Sequence, residues 1–329
     1  MVEYCCAGGV ILSMFSTRLC DLLSIKYPIL QGAMAWIADG KLAAAVSEAG
    51  GMGVIGTGNA DSRWLKEQID MARSMTDRNF AVNLMLASPY VQEVVDLIIQ
   101  EKIPVVTTGG GNPGIFMERF KDQNIKVIPV VASLALAKRL ARLGADAMIV
   151  EGMESGGHVG EMTTMCLVPM VADAVELPVI AAGGIADGRG LMAALALGAE
   201  GVQVGTRFVC ARECNVHPDY QEKVIKARDR ATVVCGITTG HPVRAIHNKF
   251  TRKYLQAETQ GLGKEELEEM GRGRYPAAAV EGDVEFGSVL AGQIAGLVSR
   301  VQTAEEIVMD IMQGAIRTQK RWEDITCRQ

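Results

Sequence analysis

The stretch "EGMESGGHVGEMTTM", Glu151–Met165, sets one imidazole, His158, directly after two glycines. A histidine titrates near neutral pH, so it can give up a proton, take one, or orient a carbonyl. Gly156 and Gly157 suit a backbone that turns sharply or passes close to a flat partner. A second group of residues has the makings of an anion site. "VIAAGGIADG" carries Gly183 and Gly184, and "VQVGTRF" carries Gly205 and Thr206. Glycines at such turns let backbone N–H groups converge on one phosphate, although tight turning alone is a competing reading.

Both groups need a scaffold that brings distant loops to one face. From Tyr27 onward, a short apolar or β-branched run alternates with a helix-period stretch. The runs are "YPILQGA", "MGVIGTG", "FAVNLML", "VVTTGGG", "KVIPVVAS", "AMIVEG", "PVIAAGG" and "GVQVGTRF". Continuous apolar strands imply a sheet buried on both faces. Helices are expected at 40–49, 62–75, 89–101, 134–143 and 189–197. Eight strands, each followed by a helix, is the count that closes a (β/α)8 TIM barrel; an open doubly wound sheet is the alternative. The fold class is therefore α/β. The barrel is assigned to 15–210, after a tail at 1–14 in which Met14 is a candidate true start. Residues 211–285 carry charged helical segments and no clear strands, which reads as a small, mainly helical substrate cap after strand 8. Residues 286–329 return to an apolar helical pattern that should pack back on the barrel.

Reactive residues of such barrels sit at the C-terminal ends of the strands, and phosphate sits beyond strands 7 and 8. That rule gathers Gly32, Ala33, Met34, Gly58, Asn59 and Asn83 with Glu151, His158 and the glycine turns around one mouth. A cofactor with a single phosphate monoester fits, and FMN is the commonest. "GGGNPG", Gly109–Gly114, matches the dinucleotide fingerprint literally. The next strand ends in "VVAS" with no acid to hold a ribose, so it reads as a turn.

Composition narrows the partners. The 329 residues are 49% hydrophobic, with 33 basic and 38 acidic side chains and a net charge of -5. No basic excess points to nucleic acid. The eight cysteines form no CxxC pair, so no metal site is expected and they read as buried or idle thiols. The N-terminus lacks the basic start of a secretory signal, and the cytoplasm is the expected compartment.

"EGMESGGHVGEMTTM", "VIAAGGIADG", "VQVGTRFVCARECNVHPDY" and "GSVLAGQIAGLVS" together resemble the FMN-dependent enoyl-acyl-carrier-protein reductase II family, the FabK type, from about Phe15 to Trp322. The near relative is nitronate monooxygenase (2-nitropropane dioxygenase), which uses FMN and O2. The resemblance implies that NADH or NADPH reduces FMN, which then passes hydride to a trans-2-enoyl thioester. His158 matches the catalytic histidine. By the same resemblance Gly32, Ala33, Met34 and Asn83 line the isoalloxazine, and Glu151 approaches its edge. Gly183, Gly184, Gly205 and Thr206 hold the phosphate, and Gly292 and Gln293 close in from "LAGQIAG". Nitronate monooxygenases usually carry Gln at the place of Glu151 and lack Arg207, and both positions lean to the reductase. A homodimer is implied by family habit. A flavin-binding protein without turnover is the reading outside catalysis.

"HPVRAIHNKFTRK", from His241 to Lys253, contains Arg244, Lys249, Arg252 and Lys253 and no acid. Acyl carrier proteins are strongly acidic, so this stretch is a candidate docking face for one; an ordinary solvated face is the competing reading.

Overall fold

The computed structural model describes residues 15–327, and the tail assigned to 1–14 lies outside the described residues. All eight apolar runs form strands: β1 (Ile29–Gln31), β2 (Val54–Gly56), β3 (Ala81–Met85), β4 (Val105–Gly109), β5 (Lys126–Val131), β6 (Met148–Glu151), β8 (Val179–Ala182) and β9 (Gly201–Val204), while the short β7 (Gly157–His158) belongs to a second sheet. They pair in parallel in the order β1-β9-β8-β6-β5-β4-β3-β2. The eight strands thus form a (β/α)8 barrel, closed by a parallel bridge between Leu30 and Met52.

The seam between β1 and β2 has a side-chain seal. Gln31 is fully buried; its Nε2 donates to Val54 O at 3.2 Å and its Oε1 accepts from Val54 N at 2.9 Å. A buried amide is tolerated because it is bonded, and here those bonds continue the ladder where β1 is too short to do so. Leu30, Val54, Ile128, Ile149 and Ile180 pack into one buried cluster with residues from neighbouring strands.

The helices lie close to their expected places, at Gly40–Glu48, Ser62–Met75, Val91–Gln100, Leu134–Arg142 and Gly188–Ala196. Asp39, Asp61, Ser133 and Asp187 each cap the following helix by accepting a backbone N–H. "GGGNPG" is a turn leading into a 3-10 helix at Pro113–Phe116.

Two expectations change beyond the barrel. The cap is not free of strands: β10 (Thr232–Cys235) and β11 (Val243–Ile246) form an antiparallel hairpin among its helices. Their runs "TVVC" and "VRAI" are as long as several barrel strands, but charged segments flank them and Arg244 interrupts the second, so neither reads as a continuous apolar strand. The C-terminal segment is helical only from Ala304 to Thr326, where it packs on helices 188–196 and 40–48. Ahead of it, 287–302 is mostly irregular, with a 3-10 helix at Gln293–Leu297.

Candidate active site

Parallel strands put their C-terminal ends on one face, and the expected site residues follow those ends. Gly32 comes after β1, Asn83 lies within β3, Glu151 ends β6, and Gly183 and Gly205 follow β8 and β9. Gly32 N donates to Val204 O at 2.8 Å, and a Cβ on Gly32 would stand 3.4 Å from Gly205 Cα. Asn83 is fixed by its Nδ2 donating to Thr107 Oγ1 at 3.0 Å and by Thr57 Oγ1 donating to its carbonyl at 2.7 Å. Ala33 and Met34 lie half-buried beside Gly32.

The loop after β6 reaches the cap. Gly157–His158 forms β7, which pairs antiparallel with β11, Val243 opposite His158 and Arg244 opposite Gly157. Val159 N donates to Pro242 O at 3.1 Å. His158 is therefore a residue of a three-stranded sheet, β10-β11-β7, and not of a free loop. Its side chain keeps access to solvent. Surrounding protein, and then the neighbouring His241, hold its pKa below the ordinary histidine value.

Glycine placement is explained differently from the sequence reading. A Cβ on Gly156 would lie 2.6 Å from Ala291 C and Gly292 N, so this glycine makes room for the C-terminal segment's backbone. Gly157 takes φ +78°, a conformation that only glycine adopts freely. Gly292 N donates to Thr206 Oγ1 at 2.9 Å, and Gln293 N donates to Glu154 O at 2.9 Å. The β6 loop, the β9 turn and residues 291–293 thus form one cluster, as the sequence reading requires.

The turns after β8 and β9 present the donors of an anion site. Gly183 and Gly184 take φ +88° and +73°. Among the described residues, the N–H groups of Gly184, Gly205 and Thr206 have no protein acceptor. A Cβ on Gly205 would enter open space, and the buried Ser155 Oγ has no hydrogen-bond partner. Uncommitted donors and an orphaned hydroxyl beside a side-chain-free cradle suit a phosphate monoester such as that of FMN.

Burial pushes the Glu151 carboxyl up to about 7, against a smaller opposing pull from the Ser155 hydroxyl, which stands near it without meeting hydrogen-bond geometry. An acid whose pKa is higher folded than unfolded costs no stability below its unfolded pKa, costs increasingly more as pH rises toward its folded pKa of about 7, and costs no more above that. Glu151→Gln removes that cost. It is expected to be more stable than the wild type by on the order of 2–3 kcal/mol at pH 8. The gap should close toward pH 4, as read by denaturation midpoints at both values.

Sequence reasoning missed Glu154, Thr164 and the role of Arg244. Glu154 Oε2 accepts from Thr164 N at 2.9 Å, capping helix Thr164–Ala172 from ten residues back. Arg244 is only 4% exposed, so it is not a docking residue as expected. Its Nε and Nη2 donate to Met153 O at 3.1 and 2.9 Å, and its Nη1 donates to Thr232 Oγ1 at 3.2 Å. It ties the β6 loop to the hairpin. Lys249, Arg252 and Lys253 are exposed, Lys249 paired with Glu285. Arg207 is also buried, bound to Ala186 O, Gln302 Oε1 and Asp310 Oδ2. It anchors the C-terminal helix, so it carries no weight in choosing between reactions.

A family model described as nitronate monooxygenase matches residues 16–314. The chain is 49% identical to the structure of FabK from Thermotoga maritima, with a TM-score of 0.92, covering 94% of this chain and 99% of that one. A probable nitronate monooxygenase from Staphylococcus saprophyticus is 32% identical, over 87% of this chain and 94% of its own. The (3aS,4S,5R,7aS)-5-hydroxy-7a-methyl-1-oxo-octahydro-1H-indene-4-carboxyl-CoA dehydrogenase of Rhodococcus jostii is 30% identical, over 93% of this chain and 97% of its own.

Proposed function

The chain belongs to the nitronate monooxygenase family of oxidoreductases, and within it we propose an FMN-dependent enoyl-acyl-carrier-protein reductase that draws on NADH or NADPH in fatty acid synthesis. The observation that carries this reading is the 49% identity to FabK over 94% of the chain, cap included, against 32% to the Staphylococcus saprophyticus protein. A thioester substrate also agrees with the Rhodococcus jostii relative, which is named as the dehydrogenase of a carboxyl-CoA compound.

When bound, FMN supplies the hydride-transfer chemistry, and the protein binds, orients and tunes. Gly183, Gly184, Gly205 and Thr206 offer N–H groups to its phosphate, with Gly292 and Gln293 holding the β6 loop against that turn. Gly32, Ala33, Met34 and Asn83 would line the isoalloxazine side. Glu151, its carboxyl pushed up to about 7 by burial, would approach the ring edge. His158 keeps a mostly neutral imidazole because its pKa is depressed. A neutral N–H there would donate to the thioester oxygen and stabilise charge as it develops, and the α-carbon would then take its proton from solvent.

The family description supports a second reading, nitronate oxidation with O2, in which a depressed-pKa His158 abstracts the substrate α-proton. Anaerobic mixing separates the two. Bleaching of the flavin by NADH, reversed by crotonyl-coenzyme A, is the expected result. Bleaching by a nitronate with NADH inert would replace the reductase by the oxygenase, and bound flavin that nothing reduces would remove catalysis altogether.

An acidic carrier protein is proposed to dock on the exposed cap residues Arg252 and Lys253. Reversing both to Glu is expected to raise KM for the carrier-bound substrate about tenfold, with little change for the coenzyme A analogue. An equal effect on both substrates removes the docking face.

A further inference from the structure

A cavity of about 270 Å³ opens at the barrel mouth between the loops after β1, β2 and β3. Trp36, Trp64 and Tyr90 line it with Thr57, Asn59 and Asp61. The chain has only three tryptophans, and two of them meet here. Trp36 is 51% exposed and Tyr90 43%, an arrangement that water alone does not favour. Neither these two nor Trp64 is among the paired rings, Phe116–Phe120 and Phe250–Tyr254, so their faces are not spent on one another. The cavity falls short of the ~300–1,000 Å³ that encloses a whole small molecule, and so suits one end of a longer ligand.

The backbone holds this arrangement against local preference. Trp36 takes φ +71°, which costs a bulky residue energy and is kept where the surroundings enforce it. Gly58, at φ +52°, would bring a Cβ within 2.6 Å of Ala35 Cβ, so the β2 loop is tucked under the residue before Trp36. Thr57 donates to the Asn83 carbonyl, which joins the cavity to the ring side of the site. The polar groups are partly uncommitted. Asp61 Oδ1 accepts from Trp64 N at 2.9 Å, while among the described residues its Oδ2 and the Asn59 amide have no protein partner.

We propose that this cavity binds the adenosine end of the nicotinamide dinucleotide, its base stacked on Trp36 and its ribose hydroxyls donating to Asp61. The inference rests on the reductase reading above. Flat unspent rings select a flat heterocycle, because base–aromatic stacking accepts any base with a π-face. A free carboxylate beside them accepts from a ribose diol and repels a 2′-phosphate, as the ribose-binding acid of dinucleotide folds does. NADH is then preferred over NADPH.

The test compares NADH with reduced nicotinamide mononucleotide, which lacks the adenosine. In Trp36→Ala holoenzyme the kcat/KM preference for dinucleotide over mononucleotide is expected to fall about tenfold, the scale of one base–aromatic stack. AMP binding, measured by calorimetry on the same holoenzymes, should weaken in parallel. Asp61→Asn keeps a good N-cap and is expected to cut the NADH-to-NADPH preference about tenfold. An unchanged dinucleotide preference and unchanged AMP affinity in Trp36→Ala would overturn the site. So would a rise in KM confined to long enoyl chains, which would make the cavity an acyl pocket. If NADH fails to reduce the wild-type flavin, the reductase reading fails by itself. The AMP calorimetry still decides the site: loss in Trp36→Ala supports it, and no change overturns it.

Discussion

His158→Ala is expected to lower turnover with crotonyl-coenzyme A by about 10²–10⁴-fold, the usual contribution of a positioned acid–base side chain, while the protein stays yellow. The structure makes this variant unusually clean. The pairing of His158 with Val243 runs through the backbone, and alanine keeps it. The side chain reaches solvent, so its removal leaves no cavity in the core. Flavin content and thermal midpoint should therefore stay at wild-type values, and the kinetic loss reports the imidazole alone.

The pH profile separates two roles for that imidazole. Partial desolvation by the protein around an otherwise solvent-reaching side chain, and then His241, hold its pKa below the ordinary value, so it is neutral through most of the physiological range. If it acts as a neutral N–H donor, kcat stays flat from pH 7 to 9. If it must carry the extra proton, kcat falls tenfold per pH unit over the same interval. The flat profile is expected, with His158→Gln, another neutral donor, recovering part of the lost rate. Turnover by His158→Ala equal to wild type would remove the residue from the chemistry.

The eight barrel strands were legible because each is a continuous apolar run ended by Gly, Asn, Ser or Thr, a pattern that needs only local reading. The mouth residues followed, since strand direction fixes which ends share a face. What was hidden was long-range. Gly156 sits against Ala291 and Gly292, over a hundred residues away in the chain, and nothing local distinguishes that from close approach to a ring. Arg244 stood in a basic stretch whose other members are exposed, and only the pairing of β7 with β11 shows that it points inward. The hairpin strands match the barrel strands in length, but charged flanks and Arg244 within the second deny them a continuous apolar run.

Arg244→Met is expected to lower kcat by about 10–100-fold while flavin content holds, because it acts on the placement of His158 and not on the cofactor turns. The anchor point is Met153 O. That carbonyl, two residues beyond Glu151, accepts both Nε and Nη2 of a guanidinium whose Nη1 is spent on Thr232. Burial pulls the Arg244 pKa down and Glu154 pushes it back up, so the group is a fixed, charged clamp. Methionine keeps the apolar stem but leaves Met153 O and Thr232 Oγ1 without these donors, a loss of about 1.5–3 kcal/mol for bonds to a charged group. The loosened element is the β10-β11-β7 sheet that carries His158. Amide exchange should accelerate across 232–235 and 243–246 while β8 and β9 stay protected, and the His158 pH profile should shift toward that of a solvated histidine. Arg244→Lys, with one charged donor in place of the fork, should recover only part of the rate. A lower thermal midpoint with unchanged kcat and pH profile would reduce Arg244 to a support of the cap, and would free the imidazole's position from the hairpin.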